Sequence, residues 1–101
     1  MKMIFGEIVH EEHYYEVFPG LLELVKSEFN EVQSGVQGDA WIWIIENDEK
    51  VAIDSFTSMR FQIKCGKVGG ILLGSVISVL ERKYTLYLYK NPEIEGHEDL
   101  N

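Results

Sequence analysis

Residues 39–46 read Asp-Ala-Trp-Ile-Trp-Ile-Ile-Glu, and this run restricts the fold more than any other part of the chain. In an extended strand, successive side chains point to opposite faces. Trp41, Trp43 and Ile45 then point one way, and Ile42 and Ile44 the other. A strand with two apolar faces is central in its sheet or covered on both sides. Asn47-Asp48-Glu49 supplies turn residues, and Val51-Ala-Ile-Asp follows as the partner strand of a hairpin. The alternation then slips. Val51 and Ile53 share odd parity, Phe56 breaks it, and Met59, Phe61, Ile63 and Cys65 resume it. Asp54–Ser58 is therefore expected as a bulge, or as a turn into a separate strand over 59–65.

The flanking segments complete an α+β pattern. Met3–Val9 reads as a first strand and His10–Tyr15 as a polar, aromatic connection. Pro19 suits the first turn of a helix, where its fixed φ and missing N–H do no harm. From there Leu21, Leu24, Val25, Phe29 and Val32 fall on one helical face, with Glu23, Lys26, Ser27, Asn30 and Glu31 opposite. The spacing predicts a helix over 20–33, ended by Gly35 and Gly38. Gly66-Lys-Val-Gly-Gly is a breaker, and Ile71–Lys83 reads as a second, mostly buried helix. Lys83–Lys90 alternates strictly, with Leu86 and Leu88 on one face and Thr85, Tyr87 and Tyr89 on the other, as a half-buried strand does. Asn91-Pro92 is expected to end it, leaving 91–101 as a mobile acidic tail. The order is β-α-β-β-(β)-α-β, which predicts an antiparallel sheet of four to five strands with two helices packed on it. The 101 residues fit one domain, 1–101.

Charge and cysteine usage narrow the class of protein. Residues 1–49 carry eleven Asp/Glu against Lys2 and Lys26, a net of −9, within a chain whose total is −8. Such a field speeds encounter with cationic partners and repels nucleic acid. Cys65 is the one cysteine, so an intrachain disulfide is impossible and a reducing compartment is expected. Met1–Val9 lacks the pattern of a signal peptide. The longest apolar run, Val68–Leu80, falls short of the roughly 20 residues a bilayer span needs. These features together predict a cytoplasmic protein.

Each motif that suggests chemistry has a simpler explanation. His10-Glu11-Glu12-His13 spaces its histidines at i, i+3, whereas the zincin pattern needs i, i+4 to bring both rings to one helix face. It reads as a solvated acidic connection, and no metal is expected. Cys65 lies near Lys64 and Lys67, which would favour a thiolate. It is also in phase with Met59, Phe61 and Ile63, as a small core residue would be. The glycines before the second helix lack both the dinucleotide fingerprint and the Lys-Ser/Thr of a P-loop, so no cofactor and no enzyme activity are expected. Trp41, Trp43, Tyr87 and Tyr89 can share the sheet face away from the helices. A base-stacking platform would be ringed by Lys and Arg, so a protein-binding face fits this acidic chain better. Glu28 falls inside the apolar helical stripe and should be paired, with Lys64, Lys67 or Arg60, or else serve as a docking carboxylate.

The stretch Gly38-Asp-Ala-Trp-Ile-Trp-Ile through Val51-Ala-Ile-Asp-Ser-Phe-Thr-Ser-Met-Arg-Phe-Gln-Ile-Lys, with the chain's size and acidity, resembles small bacterial immunity proteins of contact-dependent growth inhibition and related toxin systems. The resemblance implies a cytosolic inhibitor that binds one toxin domain tightly. Many such toxins are basic nucleases, which carboxylates can engage where phosphates would sit. Clustering and expected exposure nominate Glu11, Glu12 and Glu16 before the first helix, and Glu46, Asp48 and Glu49 at the hairpin turn, as contacts. Trp43, Tyr87 and Tyr89 are the aromatic anchors. The alternative is a small ligand-binding or regulatory domain that homodimerises through its sheet.

Overall fold

The computed structural model describes residues 2–56, 58–66 and 70–94. Its elements are β1 (Met3–Val9), α1 (Tyr14–Glu28), β2 (Glu31–Gln37), β3 (Asp39–Glu46), β4 (Glu49–Asp54), β5 (Gln62–Cys65), α2 (Ile71–Glu81) and β6 (Thr85–Ile94). The six strands form one sheet in the order β2-β3-β4-β5-β1-β6, every neighbouring pair antiparallel. The fold is α+β with two helices, and the sheet has six strands rather than four or five.

The additional strand is β2. Helix α1 starts earlier than the expected 20–33 because His13 caps it, and it stops at Glu28, where Phe29 turns to extended backbone. Tyr15 N donates to His13 Nδ1 (3.1 Å) while His13 N donates to Glu16 Oε2 (3.2 Å), a reciprocal capping box. Pro19 therefore lies inside the helix and not at its start. After Phe29, in extended conformation, Val32, Ser34 and Val36 alternate with Glu31, Gln33, Gly35 and Gln37 across β2. Gly35 is not a helix stop. It lies under the Trp41 indole, where an added Cβ would come within 2.6 Å of Cζ2. Gly38 turns the chain into β3 at φ +78°, a conformation glycine takes without strain.

The other boundary corrections are smaller. Helix α2 ends at Glu81, and β5 begins at Gln62 rather than 59. Strand β6 runs through Asn91-Pro92 to Ile94, so 91–94 belongs to the sheet, and the rest of the expected tail lies outside the described residues. The register with β1 jumps there, from Gly6↔Leu88 to Ile4↔Glu93, so Pro92 sits in an irregular stretch of an edge strand, where its missing N–H is tolerated.

Both helices pack on one face of the sheet. Strand register aligns Val32, Ile44, Val51 and Cys65 in one row and Ser34, Ile42, Ile53, Ile63 and Gly6 in the next. Leu21 and Val25 of α1, and Leu72, Leu73, Val76 and Leu80 of α2, close over these rows. Each fully buried large aliphatic side chain contributes about 1.5–3 kcal/mol relative to exposure. The opposite face holds the rows Gly35–Trp41–Asp54–Gln62–Glu7–Tyr87 and Gln33–Trp43–Ala52–Lys64–Ile4–Glu93. No helix among the described residues packs there. Among the described residues no helix is long and apolar enough to cross a membrane.

Candidate functional site

The helix-free face is where aromatic and charged side chains converge. Strand parity puts Trp41, Trp43, Tyr87 and Tyr89 on it together, as the sequence suggests. The two indoles lie 4.5 Å apart by ring centroid on β3, and the two phenols 5.5 Å apart, edge to face, on β6. Four strand spacings, roughly 19 Å, separate the rows' aromatic ends. Tyr87 is 60% exposed. Lys50 Nζ stands 3.7 Å above the Trp43 ring, a cation–π contact. Partial burial, and secondarily the Lys2 charge, pull the Lys50 ammonium below its ordinary pKa. Tyr89 OH donates to Glu7 Oε1 (3.1 Å), and Arg60 Nη1 donates to Glu7 Oε2 (3.0 Å). Burial, and then the Glu7 hydrogen bond and charge, raise the Tyr89 phenol.

Between the aromatic ends lies an ion pair that sequence reasoning did not find. Lys64 Nζ is 2.7 Å from Asp54 Oδ1, and both side chains are 0% exposed. Phe56 closes over the pair. Its backbone N–H donates to Asp54 Oδ1 (3.3 Å), and its ring centroid lies 5.7 Å from Lys64 Nζ. Asp54 Oδ2 and Trp43 Nε1 are buried with no hydrogen-bond partner among the described residues. Buried charges need a partner to offset lost hydration, so the pair holds β4 to β5 on a face that is otherwise only thinly covered. The available signal was an acid and a base, each set in an apolar strand segment of adjacent strands.

The six nominated carboxylates do not form one patch. Strand direction puts Glu11, Glu12 and Glu16, beyond the end of β1, at the opposite end of the sheet from the β3–β4 hairpin with Glu46, Asp48 and Glu49. Glu16 is committed in part to capping α1. Glu49 Oε1 accepts from Leu72 N (3.2 Å) and so caps α2, whose own N-cap residue, Gly70, has no side chain to do so. Glu11, Glu12, Glu46 and Asp48 are exposed and make no ion pair among the described residues. Asn47 and Asp48 adopt φ of 49° and 66°, the left-handed pair of a two-residue hairpin turn. This hairpin adjoins Trp43, and beside it a cavity of about 300 Å³ is lined by Lys2, Asp48, Glu49, Lys50, Lys64 and Cys65 among others.

The remaining candidates take structural positions. His10 is buried, not solvated. Its Nε2 accepts from Phe61 N (3.3 Å) and its Nδ1–H donates to Glu12 O (2.9 Å), which ties the β1–α1 connection to the residue preceding β5. His13 is the α1 cap. Among the described residues no cluster of three or more His, Cys, Asp or Glu is placed to hold a metal. Cys65 is buried on the helix side. Glu28 pairs with Arg82 (2.9 Å) at the surface and not with Lys64 or Arg60, and Lys67 lies outside the described residues. Comparison with protein-family models, curated proteins and solved structures finds no match for this chain.

Proposed function

We propose that the chain is an immunity protein, an inhibitor that binds and neutralises a cationic, nuclease-type bacterial toxin domain in the cytoplasm, as in contact-dependent growth inhibition. The observation that supports this reading best is a sheet face with no helix on it among the described residues that carries Trp41, Trp43, Tyr87 and Tyr89, with the exposed carboxylate Asp48 at the tip of the adjoining hairpin. Large rigid aromatics supply anchoring area, and the carboxylates supply attraction to a basic partner. The docking set is Trp43, Tyr87 and Tyr89 with Asp48 at the hairpin tip, and Glu46, which strand parity turns to the helix side with Ile42 and Ile44, adds to the field around the hairpin. Glu11, Glu12 and Glu16, at the far end, contribute to the long-range field, and Glu49 serves the fold. In this reading the protein is not an enzyme and needs neither cofactor nor nucleic acid.

The test is co-expression with the protein encoded by the adjacent reading frame. The expected result is rescue of growth and a complex that survives purification. A neighbour that is harmless, or a toxic one that neither binds nor is neutralised, rejects the proposal. A second reading, a small ligand-binding domain, draws on the 300 Å³ cavity lined by Lys2, Lys50 and Lys64 beside the hairpin. Thermal stabilisation by a small anion without a protein partner would favour it.

A further inference from the structure

The two edges of the sheet are guarded unequally. Strand β6 carries Lys90, Pro92 and Glu93 and breaks register with β1, the devices by which proteins keep an edge from pairing with another chain. Strand β2 lacks all of these but one charge. Glu31–Gln37 contains no proline and no lysine, and its pairing with β3 is regular over all seven residues, from Glu31↔Ile45 to Gln37↔Asp39. Its single charge lies at its first residue. No side chain among the described residues hydrogen-bonds its outer edge, and Val36 is 46% exposed beside it on the helix side of the sheet. Alternate backbone N–H and C=O groups of β2 therefore face outward.

The sequence of β2 is also complementary to itself. In a two-fold antiparallel pairing centred on Ser34, Val32 faces Val36 of the second copy, Gln33 faces Gly35, and Glu31 faces Gln37. Every pair keeps its faces, because Val32, Ser34 and Val36 lie on the helix side and the others on the open side. Like charges never meet across the pair, since Glu31 is opposite Gln37. The exposed Val36 gains an apolar neighbour at each end. A one-residue slip would turn the valines toward the opposite face of the second copy.

We infer that β2 is a self-association edge, and that two copies join through β2 in the Ser34-centred register to make one continuous twelve-stranded sheet. The open aromatic face of each copy stays uncovered. Each copy carries a net charge of −8, so the copies repel at long range, and salt, which screens that repulsion, strengthens the association.

Cysteine scanning tests the register directly. Residues opposite each other in an antiparallel pair have Cα atoms about 4.5–5.5 Å apart, within the span of a disulfide, about 4.4–6.8 Å. Ser34→Cys meets its own copy, whereas two copies of Val36→Cys are offset by four residues, about 14 Å along the strand. Under mild oxidation, Ser34→Cys is expected to form covalent dimer at least about tenfold faster than Val36→Cys, and the native Cys65 is buried away from the edge. Light scattering is expected to show the mass doubling with rising concentration and with rising salt, and Val36→Lys is expected to hold the mass at monomer. A wild-type chain that stays monomeric throughout, with both cysteine variants equally slow, overturns the inference. So does faster cross-linking of Val36→Cys, or a β2 edge that takes up a strand of another protein while never pairing with itself.

Discussion

The Asp54–Lys64 pair makes a prediction with a sign that depends on which groups are removed. Lys64→Met leaves the Asp54 carboxylate buried, with Oδ2 unpaired among the described residues and Oδ1 keeping the 3.3 Å hydrogen bond from Phe56 N. Removing one member of a buried pair costs about 3–5 kcal/mol. A domain of this size has about 5–15 kcal/mol in total, so the single variant loses a large share of its stability. With a urea m-value of about 1–3 kcal/mol/M, the unfolding midpoint should fall by at least about 1 M at unchanged slope. Asp54→Leu combined with Lys64→Met removes both charges and should return to within about 1 kcal/mol of the wild type, or exceed it. The double-mutant cycle then gives a coupling of at least about 2 kcal/mol. A Lys64→Met loss below about 1 kcal/mol, or two single-variant losses that simply add, would refute the claim that this pair is buried and interdependent.

Three further outcomes follow from the packing. Glu49→Ala removes the side chain that caps α2 and should cost about 0.5–2 kcal/mol in urea unfolding, while Glu46→Ala, exposed in the same hairpin, should cost almost nothing. Gly6→Ala would place a Cβ 2.6 Å from the Tyr87 carbonyl oxygen. Forced displacement of the β1–β6 pairing should cost about 1–3 kcal/mol, with amide exchange accelerated in β6. Burial holds the Tyr84 and Tyr89 phenols above their ordinary value of 10.0. Folding thus favours their neutral forms, a contribution complete below that pH and lost as pH rises through the raised values. An ultraviolet titration should show late-ionising tyrosines, and Glu7→Gln should lower Tyr89 part of the way, leaving the effect of burial.

Some of this structure is legible in the residues and some is not. The hairpin of β3 and β4 is legible because apolar alternation and turn residues agree, and parity groups Trp41 with Trp43 and Tyr87 with Tyr89, while their common face follows from the strand order and register. Strand β2 is not. Phe29 and Val32 continue the i, i+3, i+4 spacing of α1 by coincidence, and that hides the period-two alternation of Val32, Ser34 and Val36. Gly35 looks like a helix stop, and its real cause, the Trp41 indole against its backbone, depends on a tertiary contact. The Asp54–Lys64 pair needs the β4–β5 register, which a slip in parity at Phe56 obscures. Glu49 reads as one more acidic residue of a turn because the backbone N–H it caps is 23 positions away.

Association kinetics between this protein and the purified product of the adjacent reading frame test the docking face most directly. Glu46→Lys with Asp48→Lys should slow association by about tenfold or more at low salt and flatten its salt dependence. Trp43→Ala should speed dissociation by about 30-fold, the equivalent of a 2 kcal/mol anchor, and Glu23→Lys on the exposed side of α1 should do little. Rates unchanged by the hairpin and Trp43 variants would contradict the claim that the helix-free face is where this protein meets its partner.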